Sequence, residues 1–545
     1  MAVERGVRRF LPAALRIALW TLASRVLGLV RDRLMFAEFG RGPEAGAFFL
    51  AWTVPNLFRR LLGEGALTAA FVPVLSERLD RDGIAAARRS FAIVAGALAV
   101  VLLGLLSIAW GVVALLPEAA LARGAQSAGP AEGESYAYVL RALLFVLLPY
   151  VVPICIVALM AAAQNVRGRF TLPALAPLLL NMFWIGGILV VARQEGSLGD
   201  RAIWLGGFVL VGGFAQLALQ IPGLWRSGLL TRPRLVWKDA DLIRVARSML
   251  PMLLGLSVVQ MSALVTQLIA AFVVPEVGAN SVMFLGNRLL EFPHGLLGIA
   301  LGTAVFPLLS LHGSRGESAE MQAALDKALA SGSFLAIPAC LGLIAAAPAL
   351  VEVLFVSGRF GGEDAVEAIH VAQILALALP GLVGVQVLAR AHYALGDMRT
   401  PVRISLLLFG VNLVLQLVLA PLYGTYGLAA CSGVTSTANA LALLFSLGRK
   451  HSLPRLERSR QAVLQALLAA LPMAGFAYWA IGQGAELVGS KQGLVVRILF
   501  ELLAPIALAG LVFFAVAILL GKTGRFGDNE LLAMLRRMRQ RSTRS

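Results

Sequence analysis

Apolar runs of about 20 residues recur from one end of the chain to the other, separated by short clusters rich in arginine, glycine and proline. A run of that length crosses a bilayer as a helix, because a helix satisfies its own backbone hydrogen bonds where no water is present. Fourteen such stretches stand out, at 11–31, 47–75, 90–116, 136–163, 172–193, 202–224, 243–274, 281–311, 329–356, 366–395, 401–420, 424–447, 461–482 and 495–521. The alternation of apolar and polar residues that marks a transmembrane barrel is absent. The pattern predicts an all-α polytopic membrane protein of about 14 transmembrane helices. The first stretch follows Arg5, Arg8 and Arg9 as a signal peptide would, but it is too long and has no convincing small-residue cleavage site, so it reads as an uncleaved first span.

An even number of spans puts both termini on one side of the membrane. With that side taken as cytoplasmic, the inner loops and tails carry about 29 lysines and arginines against about 8 outside. Loops 76–89, 225–238 and 449–460 and the tail after Lys522 are conspicuously basic, whereas the outer loop Ala420–Thr425 has no basic residue. Both termini are therefore expected in the cytoplasm.

The apolar pattern also repeats. Ala70-Phe71-Val72-Pro73-Val74-Leu75-Ser76 at the end of the second span returns as Ala304-Val305-Phe306-Pro307-Leu308-Leu309-Ser310 at the end of the eighth. Pro149 corresponds to Pro380, and Ala163, Gly168 and Pro173 correspond to Ala391, Gly396 and Pro401, so the offsets are 234, 231 and 228 residues. Six spans separate the copies, so the repeat is parallel, a transporter plan that places the substrate site between the halves. The expected organisation is two six-helix lobes (1–235 and 236–455) around a central cavity, two C-terminal helices (456–521) outside the repeat, and a basic cytoplasmic tail (522–545). Gly206, Gly207, Gly212 and Gly213 in the sixth span are read as packing surfaces, and the proline-bearing fourth and tenth spans as the hinge candidates.

Composition adds little to the fold but narrows the function. Only 14% of the 545 residues are charged, against about 25% in soluble domains. The net charge of +17 sits mostly in loops and tails, which membrane topology accounts for without nucleic acid. Cys155, Cys340 and Cys431 lie in apolar stretches without Cys-x-x-Cys spacing and read as buried, inert thiols. No nucleotide-binding Walker loop, His-Glu-x-x-His motif, aspartate-rich magnesium motif or Gly-x-Ser-x-Gly elbow occurs, and the five histidines are scattered. Transport driven by a gradient or potential fits this inventory better than catalysis, and no cofactor is expected.

Against this background the informative residues are charges inside the first two spans: Arg25, Arg31, Asp32, Arg59, Arg60 and Glu64. One charge at the bilayer centre costs about 2.5–3.5 kcal/mol, so three such arginines would cost roughly 8–10 kcal/mol unless they snorkel, pair or face a wet cavity. Arg25, Gly28 and Asp32 share one helical face, with Arg31 beside it near the outer boundary. Asn56, Arg60 and Glu64 are spaced i, i+4, i+8, so Arg60 and Glu64 can neutralise each other, while Arg59 points about 100° away with no evident partner in its own helix. Arg59 is thus the better cavity arginine. In the eighth span Arg288 and Glu291 stand at i, i+3, with Asn287 adjacent. Convergent arginines present planar, permanently charged forks suited to phosphate or pyrophosphate.

Two long blocks resemble a known family. Ser24-Arg25-Val26-Leu27-Gly28-Leu29-Val30-Arg31-Asp32, followed by Ala47-Phe48-Phe49, Pro55-Asn56-Leu57-Phe58-Arg59-Arg60, Glu64-Gly65-Ala66 and Ala70-Phe71-Val72-Pro73, is similar to the lipid II flippase family (MurJ, also called MviN). So is Asn287-Arg288-Leu289-Leu290-Glu291-Phe292-Pro293 with Gly295, Gly298, Ala300, Leu301, Gly302 and Thr303. The resemblance covers essentially the whole chain. It implies a member of the multidrug/oligosaccharidyl-lipid/polysaccharide exporter superfamily in the bacterial cytoplasmic (inner) membrane, with two lobes around a V-shaped cavity and a C-terminal helix pair whose groove admits a lipid tail. The implied activity is the transfer of lipid II from the inner to the outer leaflet, with membrane lipids and cell-wall synthesis proteins as further partners. The resemblance carries substrate-binding roles onto Arg25, Arg31, Asp32, Arg59 and Arg288, with Asn56, Arg60, Glu64, Asn287 and Glu291 as supporting candidates. Acids seen in some members are replaced here by Gly46 and Asn287. The resemblance also suggests ion coupling, by sodium, protons or the membrane potential; Asp241 and Asp397 are the candidate ion-site acids, and no metal site is expected. Export of another polyprenyl-linked oligosaccharide, drug antiport, a membrane enzyme acting on polyprenyl-linked substrates and a non-transporting scaffold are the rival readings. A drug exporter would favour acids and aromatics over arginines in its cavity.

Overall fold

The computed structural model describes residues 2–124, 130–304, 306–315, 317–451, 456–489 and 492–522. The tail 523–545, Val305 of the repeated motif, and the side chains of Arg5, Arg8, Arg9, Glu64, Ala300, Gly302 and Thr303 lie outside that description. Helices occupy nearly all of it: α1 Ala2–Phe39, α2 Pro43–Phe58, α3 Leu67–Leu115, α4 Glu118–Ala122, α5 Pro130–Leu147, α6 Val151–Val166, α7 Thr171–Val191, α8 Leu198–Arg226 and α9 Ala240–Phe272. There follow α10 Ala279–Ala304, α11 Phe306–Ser314, α12 Ser318–Leu354, α13 Glu363–Ala376, α14 Leu379–Ala394, α15 Arg399–His451, α16 Glu457–Val488, α17 Leu494–Arg497 and α18 Ala504–Lys522. Among the described residues nine helical segments are long and apolar enough to cross a membrane. Two of these, Pro43–Leu115 and Arg399–Lys450, are each interrupted by a glycine at positive φ, Gly83 (φ 76°) and Gly424 (φ 57°). Both interruptions fall where the apolar pattern places a loop, and glycine alone takes this backbone region without strain.

The chain divides into two compact units, residues 1–281 with 357–360, and 282–356 with 361–545. The division falls later than the sequence boundary at 235/236, so α9 packs with the first unit, against α2 and α3. Its start is held by Arg78, whose Nε donates to both Asp241 oxygens at 3.0 Å, and by an Arg244–Glu77 ion pair. The segment before α9 also lies on α3, with the Arg234 amide donating to the Ala92 carbonyl at 2.9 Å.

In the first unit α2 is buried from Ala45 through Trp52, as expected of a helix that is apolar all round. Pro43 opens it, with Glu44 in its first turn favourable to the helix dipole. Gly206, Gly212 and Gly213 meet Leu143 and Val146, Phe183 and Leu180, and Tyr150 and Pro153, whereas Gly207 has open space around it. Three of the four therefore form packing surfaces, because a missing Cβ lets membrane helices approach closely. Pro149 sits in a 3₁₀ turn, Leu148–Tyr150, between α5 and α6, and Pro380 opens α14 after the break from α13. Both prolines thus break their spans.

Gly46 has a local explanation. Its carbonyl accepts from Asn280 Nδ2 at 2.6 Å, and a Cβ at position 46 would come within 2.6 Å of Asn280 Oδ1. Asn280 fills the space an aspartate at 46 would occupy, and the two positions are separated by the repeat offset of 234. Gly46→Ala is expected to destabilise the protein by about 1–3 kcal/mol through overpacking. A thermal melt in detergent checks this, and Asn280→Ala in the same chain should recover part of the loss.

In the second unit a buried core joins α10, α11, α12, α14 and α15 through Leu301, Leu309, Leu325, Val387 and Leu443. The C-terminal pair packs on α12 through an alanine-rich seam, Ala466, Ala469, Ala470, Ala509 and Ala517, with Ile337 and Phe513. Buried Asp326 of α12 accepts from the amides of Arg458 (3.0 Å) and Ser459 (2.9 Å), which satisfies two of the orphan donors at the start of α16. The three cysteines are buried and free.

Candidate functional site

The first unit sets Arg31 and Asp32 of the first span beside an aromatic cluster. Arg31 donates to Asp32 Oδ1 from Nε (2.9 Å) and Nη2 (2.6 Å), and to Asn181 Oδ1 from Nη1 (3.1 Å). Its guanidinium lies over the Trp184 ring, 4.4 Å from the centroid. Asn181 in turn donates to the Ser24 carbonyl at 2.9 Å, so α7 clamps α1 at two heights. Trp184 stacks edge-on with Trp52 (4.9 Å between centroids), and Trp52 lies 5.3 Å from Tyr150. The buried Tyr150 hydroxyl donates to Gln216 Oε1 at 3.0 Å, and Gln216 donates to the Ala176 carbonyl at 2.7 Å. The cluster thus presents a cation whose planar face and edge are both supported, which fixes its direction.

Asp32 is 2% exposed, whereas Arg25, on the same helical stripe, is exposed. The structure therefore separates Arg25 from the Arg31–Asp32 pair, although the stripe groups Arg25 with Asp32. Trp52, Tyr150, Asn181, Trp184 and Gln216, which build this cluster, are residues that sequence reasoning missed. Asn181 and Gln216 are polar residues inside apolar spans, the same signal that singled out the arginines, but they carry no charge and so cost less to place there.

In the second span the helix changes type. Arg59–Ala66 (Arg-Arg-Leu-Leu-Gly-Glu-Gly-Ala) is a π-helix, with two glycines that weaken the ordinary α register. Arg59 Nε donates to Asn56 Oδ1 at 3.0 Å. This corrects the expectation that Arg59 lacks a partner in its own helix: an i, i+3 neighbour is within reach of its long side chain. Arg60 is half-buried, and the Glu64 side chain expected to pair with it lies outside the described residues.

In the second unit Arg288 and Glu291 stand 3.6 Å apart with side chains 32% and 45% exposed. Asn287 donates to its own helix at the Met283 carbonyl (2.8 Å), which uses its amide in the turn before it. The candidate ion-site acids are each engaged by a cation of the chain. Asp241 is held by Arg78, as described. Asp397 accepts from Lys450 Nζ (2.8 Å) and from the Thr400 hydroxyl (2.7 Å) and amide (3.0 Å). Burial pushes the Asp397 carboxyl up, but Lys450 and Thr400 together outweigh it and hold the group well below the ordinary carboxylate range. Both acids join helix ends, Asp241 tying α9 to α3 and Asp397 tying the two ends of α15. Among the described residues no group of three or more His, Cys, Asp and Glu side chains could hold a metal ion.

The chain as a whole has counterparts among known proteins. The family model described as lipid II flippase MurJ matches residues 35–503. The chain belongs to that family. A probable lipid II flippase MurJ from Vibrio cholerae is 34% identical over 444 residues, covering 80% of this chain and 82% of that protein. The lipid II flippase MurJ of Burkholderia cenocepacia is 34% identical over 484 residues, 86% and 89% of the two chains. Among solved structures, a lipid II flippase MurJ in an inward closed conformation matches with TM-score 0.72 at 21% identity, over 93% of this chain and 99% of that one. An inward-facing multidrug resistance transporter of the MATE family and MOP superfamily matches with TM-score 0.59 at 13% identity, over 79% and 94%. At these identities the two structures speak for the helical fold alone; the family to which the chain belongs is one of flippases, not enzymes.

Proposed function

We propose that this protein flips lipid II, the undecaprenyl-pyrophosphate-linked peptidoglycan precursor, from the inner to the outer leaflet of the bacterial cytoplasmic membrane for cell-wall synthesis. Membership of the lipid II flippase family carries the reading, and the arginines on membrane helices supply its chemistry. Arg59 and Arg288 each offer a guanidinium fork that matches phosphate oxygens, and Arg31, whose Nε and Nη2 are held by Asp32, adds its positive charge. The pyrophosphate and sugar head binds there while the prenyl tail stays in lipid, along the C-terminal helix pair. Asp32, Asn56 and Trp184 orient the arginines, and Arg25, which is exposed, reaches the head from the first span.

The movement is alternating access by two lobes, and the head must bind less tightly in the outward state or it would not leave. Both termini lie in the cytoplasm on the strength of the charge asymmetry. An ion gradient, of sodium or protons, or the membrane potential drives the cycle, since one elementary charge moved across 100 mV is worth about 2.3 kcal/mol. With Asp241 and Asp397 committed to Arg78 and Lys450, potential acting on the charged head is the simplest driving force.

The test is lipid II exposure on the outer face of cells depleted of their own flippase. This chain should restore it, and a normally expressed Arg59→Ala/Arg288→Ala variant should not. Absence of rescue by well-expressed wild type would point to another polyprenyl-linked oligosaccharide as cargo.

A further inference from the structure

One polar cluster of the second unit has no part in the site above. It is built on a contact of His294 on α10 with Gln386 on α14, and Arg390 follows on α14. Gln386 Nε2 lies 3.1 Å from His294 Nε2. With the amide as the donor, the imidazole accepts at Nε2 and carries its proton at Nδ1. Gly298, one turn beyond His294, makes room for the contact: a Cβ there would come within 3.0 Å of Gln386 Oε1. Arg390 follows Gln386 by four residues and shares its helix face.

Three atoms of the cluster are buried without a protein partner among the described residues: His294 Nδ1, Gln386 Oε1 and Arg390 Nη1. They offer two donors and one acceptor, and one donor belongs to a guanidinium that cannot lose its charge. Helix packing does not explain them, since apolar residues would fill the same volume without stranding polar groups. A hydroxylated, anionic ligand does: phosphate oxygens accept from Arg390, and sugar hydroxyls both accept and donate. A lipophilic cation would be repelled.

The cluster also lies further along α10 than Arg288, about 120° round the helix from it. Arg288, Glu291 and His294 are spaced three residues apart along α10. Gln386 lies at the level of His294 and Gly298, and further on Gly313 of α11 lies against the Ala394 carbonyl, so α14 runs in the same direction. Arg390 therefore lies further in depth from Arg288 than Gln386 does. The helical rise makes it about 9 Å from Arg288 to His294 and about 6 Å from Gln386 to Arg390.

We propose that His294, Gln386 and Arg390 form a second head-group station on α10 and α14, which holds the saccharide-pyrophosphate head of the lipid at a different depth from Arg288. Arg390 takes phosphate oxygens; Gln386 and His294 take saccharide hydroxyls. The proposal rests on the lipid II reading and adds to it a residue-level division between phosphate and sugar recognition.

Purified full-length protein in phosphatidylcholine nanodiscs provides the test, with lipid II and saccharide-free undecaprenyl pyrophosphate as separate probes. Arg390→Gln should weaken both probes about tenfold, and Gln386→Leu should weaken lipid II about fivefold while leaving the saccharide-free probe unchanged. Melting curves matching wild type establish that the variants are folded, and Arg390→Lys, which keeps the charge but not the fork, should fall between wild type and Arg390→Gln. Folded variants that bind both probes like wild type would overturn the station and leave the three atoms to ordered water. So would loss of the Arg390 effect when phosphatidylglycerol is added to the nanodiscs, since the group would then serve an ordinary anionic phospholipid. Wild type that binds the saccharide-free probe but not lipid II would sink the lipid II reading; wild type that binds both, with unaffected variants, would sink only the station.

Discussion

Replacing Arg31 with alanine is expected to cost the fold about 3–5 kcal/mol and to abolish lipid II transfer, the larger of two effects anticipated in the first unit and the second. Asp32 is 2% exposed and receives two of the three hydrogen bonds Arg31 makes, so removal of the guanidinium takes two charge-assisted hydrogen bonds from a buried carboxylate. The stacking on Trp184 goes as well, worth about 0.5–2 kcal/mol for a desolvated cation on an indole. Stability and activity separate in the double variant Arg31→Ala/Asp32→Asn. Neutralising the acid removes most of the penalty, because that penalty comes from the stranded charge and not from the pair itself. The double variant should therefore melt well above Arg31→Ala in detergent, short of wild type by the lost Trp184 stacking, and still fail to restore lipid II exposure in flippase-depleted cells. If it restores exposure, Arg31 is a structural residue, and the head group is held elsewhere.

Arg288→Ala is expected to do the opposite: little loss of stability and a transfer rate reduced at least about tenfold. The Arg288–Glu291 pair is long, 3.6 Å, and both side chains are substantially exposed, so its contribution to the fold is about 0–1 kcal/mol. A charge-assisted hydrogen bond to a phosphate oxygen is worth about 1.5–3 kcal/mol, and its loss slows transfer by roughly ten- to a hundredfold. Arg288→Lys keeps a cation but loses the two-pronged geometry, so an intermediate rate is expected. The measurement is the initial rate of lipid II appearance in the outer leaflet at equal expression. A wild-type rate for Arg288→Ala would remove Arg288 from the head-group path.

The two arginines behave differently for a reason that helical spacing only half reveals. Arg288 and Glu291 are neighbours on one helix, and a spacing of three residues is enough to pair them. Arg31 and Asp32 are adjacent in sequence and would point to different sides of a bare helix; Asn181 and Trp184 of α7 draw the guanidinium into place. Arg59 is an intermediate case, since its partner Asn56 lies three residues earlier but the π-helix that begins at Arg59 shifts the phase of everything after it. Gly46 illustrates the same limit. In sequence it is a missing acid, and in the structure it is the only residue small enough for Asn280 to close on its carbonyl.

What the sequence by itself determined is the part of this protein governed by local rules. Apolar run length predicts where helices lie, the loops at 76–89 and 420–425 fall where two of them are interrupted, and two long blocks reveal the family. Each depends on residues within a turn or two of one another, or on hydropathy summed along one helix. Only the tertiary structure decided which polar groups stand together: Arg31 with Asn181, 150 residues away, Arg78 with Asp241, 163 residues away, and Gln386 with His294, 92 residues away. A lipid-facing and a protein-facing position look alike in an apolar helix, because both are hydrophobic. Helix rotation and register are therefore set by side-chain packing and buried hydrogen bonds between helices, and those partners become visible only when the chain is folded.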